Sequence, residues 1–216
     1  MTLILTALCK DGICVCADTR YVDKKWTKGF KDGFDKIFKF KSCPLIIFNH
    51  GVNRFNNKYW DEYCLEYEQL GQWIGKDLIQ IADNFKDFIN DDVERELKKS
   101  KAESNVSGFV LCGKTPNNAK FKIKELYWSL APEGVNFKPI RWKKNIIGSG
   151  NGYIKYLHDL MKTDEKMNKD RYWKSMNINR AKKELGKLFS IAVEKKKDSR
   201  GEEFSDEPPI IKSITD

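Results

Sequence analysis

The sequence predicts an α+β fold, with mostly antiparallel strands segregated from helices. Three observations carry that reading. Short apolar runs flanking a turn dipeptide open the chain, a long stretch with apolar residues three and four apart fills its middle, and strands, helices and a closing strand follow. Two sheets between helix layers fit that order. With 216 residues the chain can bury one sizeable core or two small ones. No repeat and no linker rich in Pro, Gly or Ser divides it, so a single domain over residues 1–216 is expected.

Residues 2–9 and 13–18 read as a hairpin around Lys10-Asp11-Gly12, because Asp-Gly between apolar runs is a strong turn signal. A polar loop over 21–34 follows, and then a hairpin-like pair at 36–40 and 45–49 around Ser42-Cys43-Pro44. Trp60, Tyr63, Cys64 and Tyr67 mark a first helix. Leu78, Ile81, Ala82, Phe85, Phe88, Ile89 and Val93 set a second over 76–98. Apolar stripes of this kind are core rather than a ligand cage. Strands return at 107–113 and at 120–128, the latter with imperfect alternation, and a shorter one at 135–139. Asn145-Ile146-Ile147 leads into Gly148-Ser149-Gly150 and a helix over 153–161. Ile178, Ala181, Leu185, Leu188 and Ala192 make one face of a helix over 177–197, and residues 210–215 close the chain as a strand after Pro208-Pro209.

Composition narrows the function. At 40% hydrophobic and 12% aromatic, a packed interior is expected. No run of 18 apolar residues exists, so no membrane-spanning helix is expected. The apolar run at 3–8 has no basic region before it and stops at Lys10-Asp11, so it does not read as a signal peptide. Cys9, Cys14, Cys16, Cys43, Cys64 and Cys112 sit mostly in apolar runs, as small buried hydrophobes of a reducing cytoplasm. The only histidines, His50 and His158, lie far apart, so neither a metal site nor a cofactor is expected. The formal charge of +9 permits a polyanion partner. The lysines are interspersed with acids, and the densest run, Glu194-Lys195-Lys196-Lys197, ends a predicted helix, where cations complement the dipole. Nucleic-acid binding is therefore a lesser alternative, marked by affinity that falls steeply with salt.

Chemistry enters at the second residue. Removal of Met1 leaves Thr2 as the N-terminus, with a hydroxyl nucleophile beside its own general base, the α-amine. An unperturbed amine has a pKa of about 7.7–8.0, so part of it is neutral near pH 7. The opening MTLILTALCKDGICVCADTR resembles the start of mature proteasome β-type subunits: Thr2, an apolar strand, Lys10-Asp11-Gly12, a second strand, then Ala17-Asp18-Thr19-Arg20. Asp35-Lys36-Ile37-Phe38 resembles the segment that holds that family's catalytic lysine, and Phe48-Asn49-His50-Gly51 falls where it carries its oxyanion glycine. Ile146-Ile147-Gly148-Ser149-Gly150, Lys196-Lys197-Asp198 and the strand after Pro208-Pro209 resemble later landmarks in the same order.

The resemblance implies a proteasome-like N-terminal nucleophile hydrolase, a four-layer αββα sandwich and acyl transfer to a threonine. In that scheme the Thr2 hydroxyl attacks a peptide carbonyl and its amine takes the proton. Lys36 lends positive charge, Asp18 pairs with Lys36, and the Gly51 N–H receives the oxyanion. Ser149 and Asp198 position the amine, and Arg20 lies near the substrate pocket. Water releases the ester, or an amine does so in a ligase. The implied partners are a peptide or protein substrate and further copies of the chain in a homo-oligomer such as a ring, with a feeding ATPase left open. The alternative is a catalytically silent relative, acting in assembly or partner binding, in which Met1 persists and the Thr2 nitrogen stays an amide.

Overall fold

A computed structural model describes residues 3–22, 30–99, 105–115, 120–142, 170–200 and 208–215. They belong to two compact units, one of Met1–Ile37 with Lys144–Asp216, the other of Phe38–Lys143.

In the first unit, β1 (Ile4–Leu8) and β2 (Gly12–Ala17) pair antiparallel, Ile4 opposite Ala17 and Leu8 opposite Ile13. The turn is closed by the Cys9 N–H donating to the Gly12 carbonyl at 2.7 Å. Gly12 is already in β2. It owes its place to a close strand approach rather than to the turn: a Cβ there would lie 2.0 Å from the Ile214 carbonyl oxygen. Ile214 belongs to β12 (Ile210–Thr215), which pairs antiparallel with β2 and puts β2 in the middle of the order β1-β2-β12. The helix expected over 177–197 is present as α4 (Ile178–Arg200), preceded by a short helix the sequence reading did not include, α3 (Asp170–Lys174), and the Arg180 N–H donates to Asn177 Oδ1 in the first turn of α4. The apolar stripe of α4, with Ala181, Leu185, Leu188 and Ala192, packs on Leu5, Ala7, Cys14 and Cys16 from one face of the sheet. Ile4, Ile13, Val15 and Ala17, on the other face, are fully buried as well. The loop expected over 21–34 contains a short antiparallel pair, β3 (Tyr21–Val22) with β4 (Phe30–Lys31).

In the second unit a five-stranded antiparallel sheet has the order β11-β10-β9-β6-β5. Its strands are β5 (Phe38–Lys39), β6 (Leu45–Gly51), β9 (Val106–Thr115), β10 (Lys120–Ala131) and β11 (Gly134–Trp142). The last three run beyond their apolar cores, because ladder hydrogen bonds continue where the side chains turn polar. A hairpin absent from the sequence reading, β7 (Arg54–Phe55) with β8 (Lys58–Tyr59), turns on Asn56 and Asn57, at φ 46° and 67°. Asparagine is the residue besides glycine that most readily takes that left-handed region.

Helix α1 (Trp60–Gln69) packs on α2 (Leu78–Leu97) through aromatic edges, with Tyr67 and Phe85 centroids 5.1 Å apart. Asp77 caps α2 by accepting the Ile79 and Gln80 N–H groups, and Gln80 returns a bond to the Asp77 N–H. The buried stripe of α2, from Leu78 to Leu97, covers the β9 and β10 side of the sheet. Among the described residues, no helix is long and apolar enough to cross a membrane. The helix expected over 153–161 lies outside the described residues.

Candidate active site

The site is built where β2 ends. Asp18 follows Ala17 out of the strand and is held against the first described residue of the chain. The Leu3 N–H donates to Asp18 Oδ1 at 2.8 Å, and the Asp18 N–H donates to the Leu3 carbonyl at 3.0 Å. The second carboxylate oxygen, Oδ2, accepts the Arg20 N–H at 3.3 Å and the Lys36 ammonium at 2.8 Å. Both partners of this ion pair are buried, the side chains of Lys36 and Asp18 being 3% and 1% exposed. Burial lowers the pKa of Lys36 from its ordinary value, because the charged form loses its hydration. The Asp18 charge and hydrogen bond oppose that shift, as does Asp32, while the Arg20 charge adds to it.

Lys36 lies in an irregular segment, not in the strand expected over 36–40, and side chains hold that segment in place. Arg20 grips Asp32 with Nε at 2.7 Å and Nη2 at 2.9 Å, a fork-to-carboxylate geometry. The Phe34 N–H donates to the Thr19 carbonyl at 3.0 Å. Asp35 Oδ1 accepts the Ile37 N–H at 3.0 Å, a local turn that takes this backbone away from strand pairing. Lys212, on β12, donates to the Asp35 carboxylate and, at 2.7 Å, to the Ile37 carbonyl. Asp32, Asp35 and Lys212 are the residues that the sequence reading missed.

Gly51 ends β6 in the other unit, exposed and at φ +82°. A Cβ there would lie 2.2 Å from the Val106 carbonyl oxygen, so conformation and space both demand glycine. The Val52 N–H donates to that carbonyl at 2.9 Å, which makes Gly51 and Ser107 a wide pair of the antiparallel ladder. The Gly51 N–H therefore points away from β9. β5 pairs only with Ile46 and Ile47 and does not reach it. Beside it, His50 Nε2 lies 3.0 Å from Glu125 Oε1, with the ring across Gly108, where a Cβ would sit 2.1 Å from Nε2.

Of the residues that the sequence singled out, Asp18 and Lys36 are in direct contact, and Arg20 is buried in the fork with Asp32. Thr2 and Ser149 lie outside the described residues. Asp198 is on α4, with its side chain outside them too. The thiols are poor rivals for the nucleophile. Burial pushes Cys9 and Cys14 up to about 12, leaving essentially no thiolate at neutral pH.

No family model and no curated protein matches the chain. Solved structures do match. Anbu (ancestral beta-subunit) from Yersinia bercovieri has a TM-score of 0.59 at 11% identity, over 100% of this chain and 82% of that one. The Anbu (Gly-1) mutant from Hyphomicrobium sp. strain MC1 has a TM-score of 0.55 at 13% identity, over 93% of this chain and 76% of that one. The chain has the Anbu fold. It is mixed α and β with antiparallel sheets. The matches correct the family drawn from the opening block. The structures reached are Anbu proteins rather than proteasome β-type subunits proper, and at 11–13% identity the likeness stops at the fold. A handful of motif letters does not assign a family, since one pattern of buried positions is met by many sequences.

Proposed function

We propose that this protein is an amide hydrolase whose nucleophile is the Thr2 hydroxyl, exposed by removal of Met1 and served by its own α-amine as general base. The observation that carries the reading is the buried pair of Lys36 and Asp18, 2.8 Å apart, with the other Asp18 oxygen bound to the Leu3 N–H. That N–H belongs to the peptide bond that joins Thr2 to Leu3, so a fixed cation and its counter-ion are tied to the nucleophile's own backbone. A cation at that place favours the alkoxide and lowers the amine's proton affinity, both of which aid attack on a peptide carbonyl. Gly51 is the oxyanion donor that the opening resemblance assigns to this scheme, and Ser149 and Asp198 orient the amine. The scheme takes residues 1–216 as one domain of four αββα layers. Peptides or proteins are the substrates, and copies of the chain assemble with one another.

Intact mass spectrometry tests this on protein from its native host, before and after an epoxyketone or β-lactone that reacts with N-terminal threonine. A chain without Met1 that gains one adduct, absent in Thr2→Ala, supports Thr2 as nucleophile. A chain that keeps Met1 and stays unlabelled refutes it and favours a silent subunit with an assembly role.

A further inference from the structure

We infer that Lys212 is a positioning residue that keeps Lys36 on Asp18. This inference rests on the reading of Lys36 just given. Lys36 sits in a segment without strand or helix, so its own backbone does not fix where the ammonium points. Lys212 takes hold of both chain neighbours of Lys36: its Nζ donates to the Asp35 carboxylate on one side and to the Ile37 carbonyl, at 2.7 Å, on the other.

The location follows from the sheet. β12 lies antiparallel to β2 with Lys212 opposite Val15 and Ile210 opposite Ala17. β2 thus delivers Asp18 and β12 delivers Lys212 to the same short segment. Lys212 takes up the Asp35 charge, while the charges that act on Lys36 are those of Asp18, Asp32 and Arg20. The Arg20 fork on Asp32 anchors the same segment nearer its start. Lys212 itself touches no reacting atom in this scheme and acts through Lys36.

The test uses two readouts on Lys212→Met, Lys212→Arg and Asp35→Asn. The first is the rate of Lys36 acetylation by acetic anhydride, read by peptide mass spectrometry, with iodoacetamide alkylation of Cys14, buried on β2 of the same unit, as the control for an intact fold. The second is the pH profile of Thr2 labelling. A clamp predicts that Lys212→Met and Asp35→Asn both raise Lys36 acetylation by tenfold or more while Cys14 stays protected, and that Lys212→Arg stays near the parent. It also predicts that the labelling profiles of Lys212→Met and Asp35→Asn move in the same direction. A mere charge effect would move them in opposite directions, since one substitution removes a positive charge and the other a negative one. Opposite shifts, or a Lys36 that stays protected in Lys212→Met, would overturn the inference. If the parent protein has a free Thr2 and is never labelled, the proposed hydrolase fails. Acetylation of Lys36 then still decides the role of Lys212.

Discussion

Replacing Asp18 by asparagine keeps an oxygen for the Leu3 N–H and removes the charge that faces Lys36, only 2.8 Å away. Removing one partner of a buried ion pair costs about 3–5 kcal/mol, because the other charge stays dehydrated. Lys36 can escape part of this by releasing its proton, since burial already lowers its pKa, so a loss of about 3 kcal/mol is expected. The reverse change, Lys36→Met, leaves a carboxylate that still accepts N–H bonds from Leu3 and Arg20, so it should cost less, about 1–3 kcal/mol. The double variant strands neither charge. It should be no worse than Asp18→Asn alone, giving a coupling of about 1–3 kcal/mol between the two sites. Equilibrium urea unfolding followed by far-UV circular dichroism, with a common m value, measures all four proteins. Losses that simply add would refute the argument, because two residues that do not share a buried charge pair have no reason to couple.

Gly12→Ala should split β12 from β2, since its Cβ would lie 2.0 Å from a backbone oxygen that cannot rotate away. A loss of about 3 kcal/mol or more is expected, with faster amide exchange along β12 than along β1. Stability should also fall in alkali. Burial holds Cys9, Cys14 and Cys43 protonated up to about 12, against an ordinary thiol value of 9.0. Their contribution is complete below that ordinary value and is lost as pH rises towards 12, because the unfolded chain sheds these protons first. The urea midpoint of Cys14→Ala should therefore decline less steeply over that window than the parent's.

Much of this architecture is legible in local pattern. The α2 stripe and the α4 stripe repeat every three or four residues because a single face of each is buried, and the chain shows it. β1 and β2 are legible for a different reason: both faces are buried, so their residues are apolar almost without interruption. The hairpin at Asn56 and Asn57 escapes, since strands of two residues are too short to alternate. Lys36 and Ile37 read as strand because Ile37 and Phe38 are apolar, yet the Asp35 side chain takes the Ile37 N–H that a ladder would need. The site is harder still. Nothing local in Asp18 or Lys36 announces a pair. Only the likeness of the opening block to other chains brought them together, and that likeness overreached as to family. The Asp35–Lys212 contact joins residues from opposite ends of the sequence, and the register of β12 on β2 decides it.

That register also bears on how the protein is made. β2 needs β12 along one edge, and Ile210 leaves the ribosome long after Ala17, its partner. At ordinary translation rates the wait is on the order of ten seconds or more. Through that interval an apolar strand stands with one edge open, and by its end every strand of the second unit's sheet has been synthesised. Nascent chains stalled before residue 210 should thus be the form that chaperones hold and proteases find.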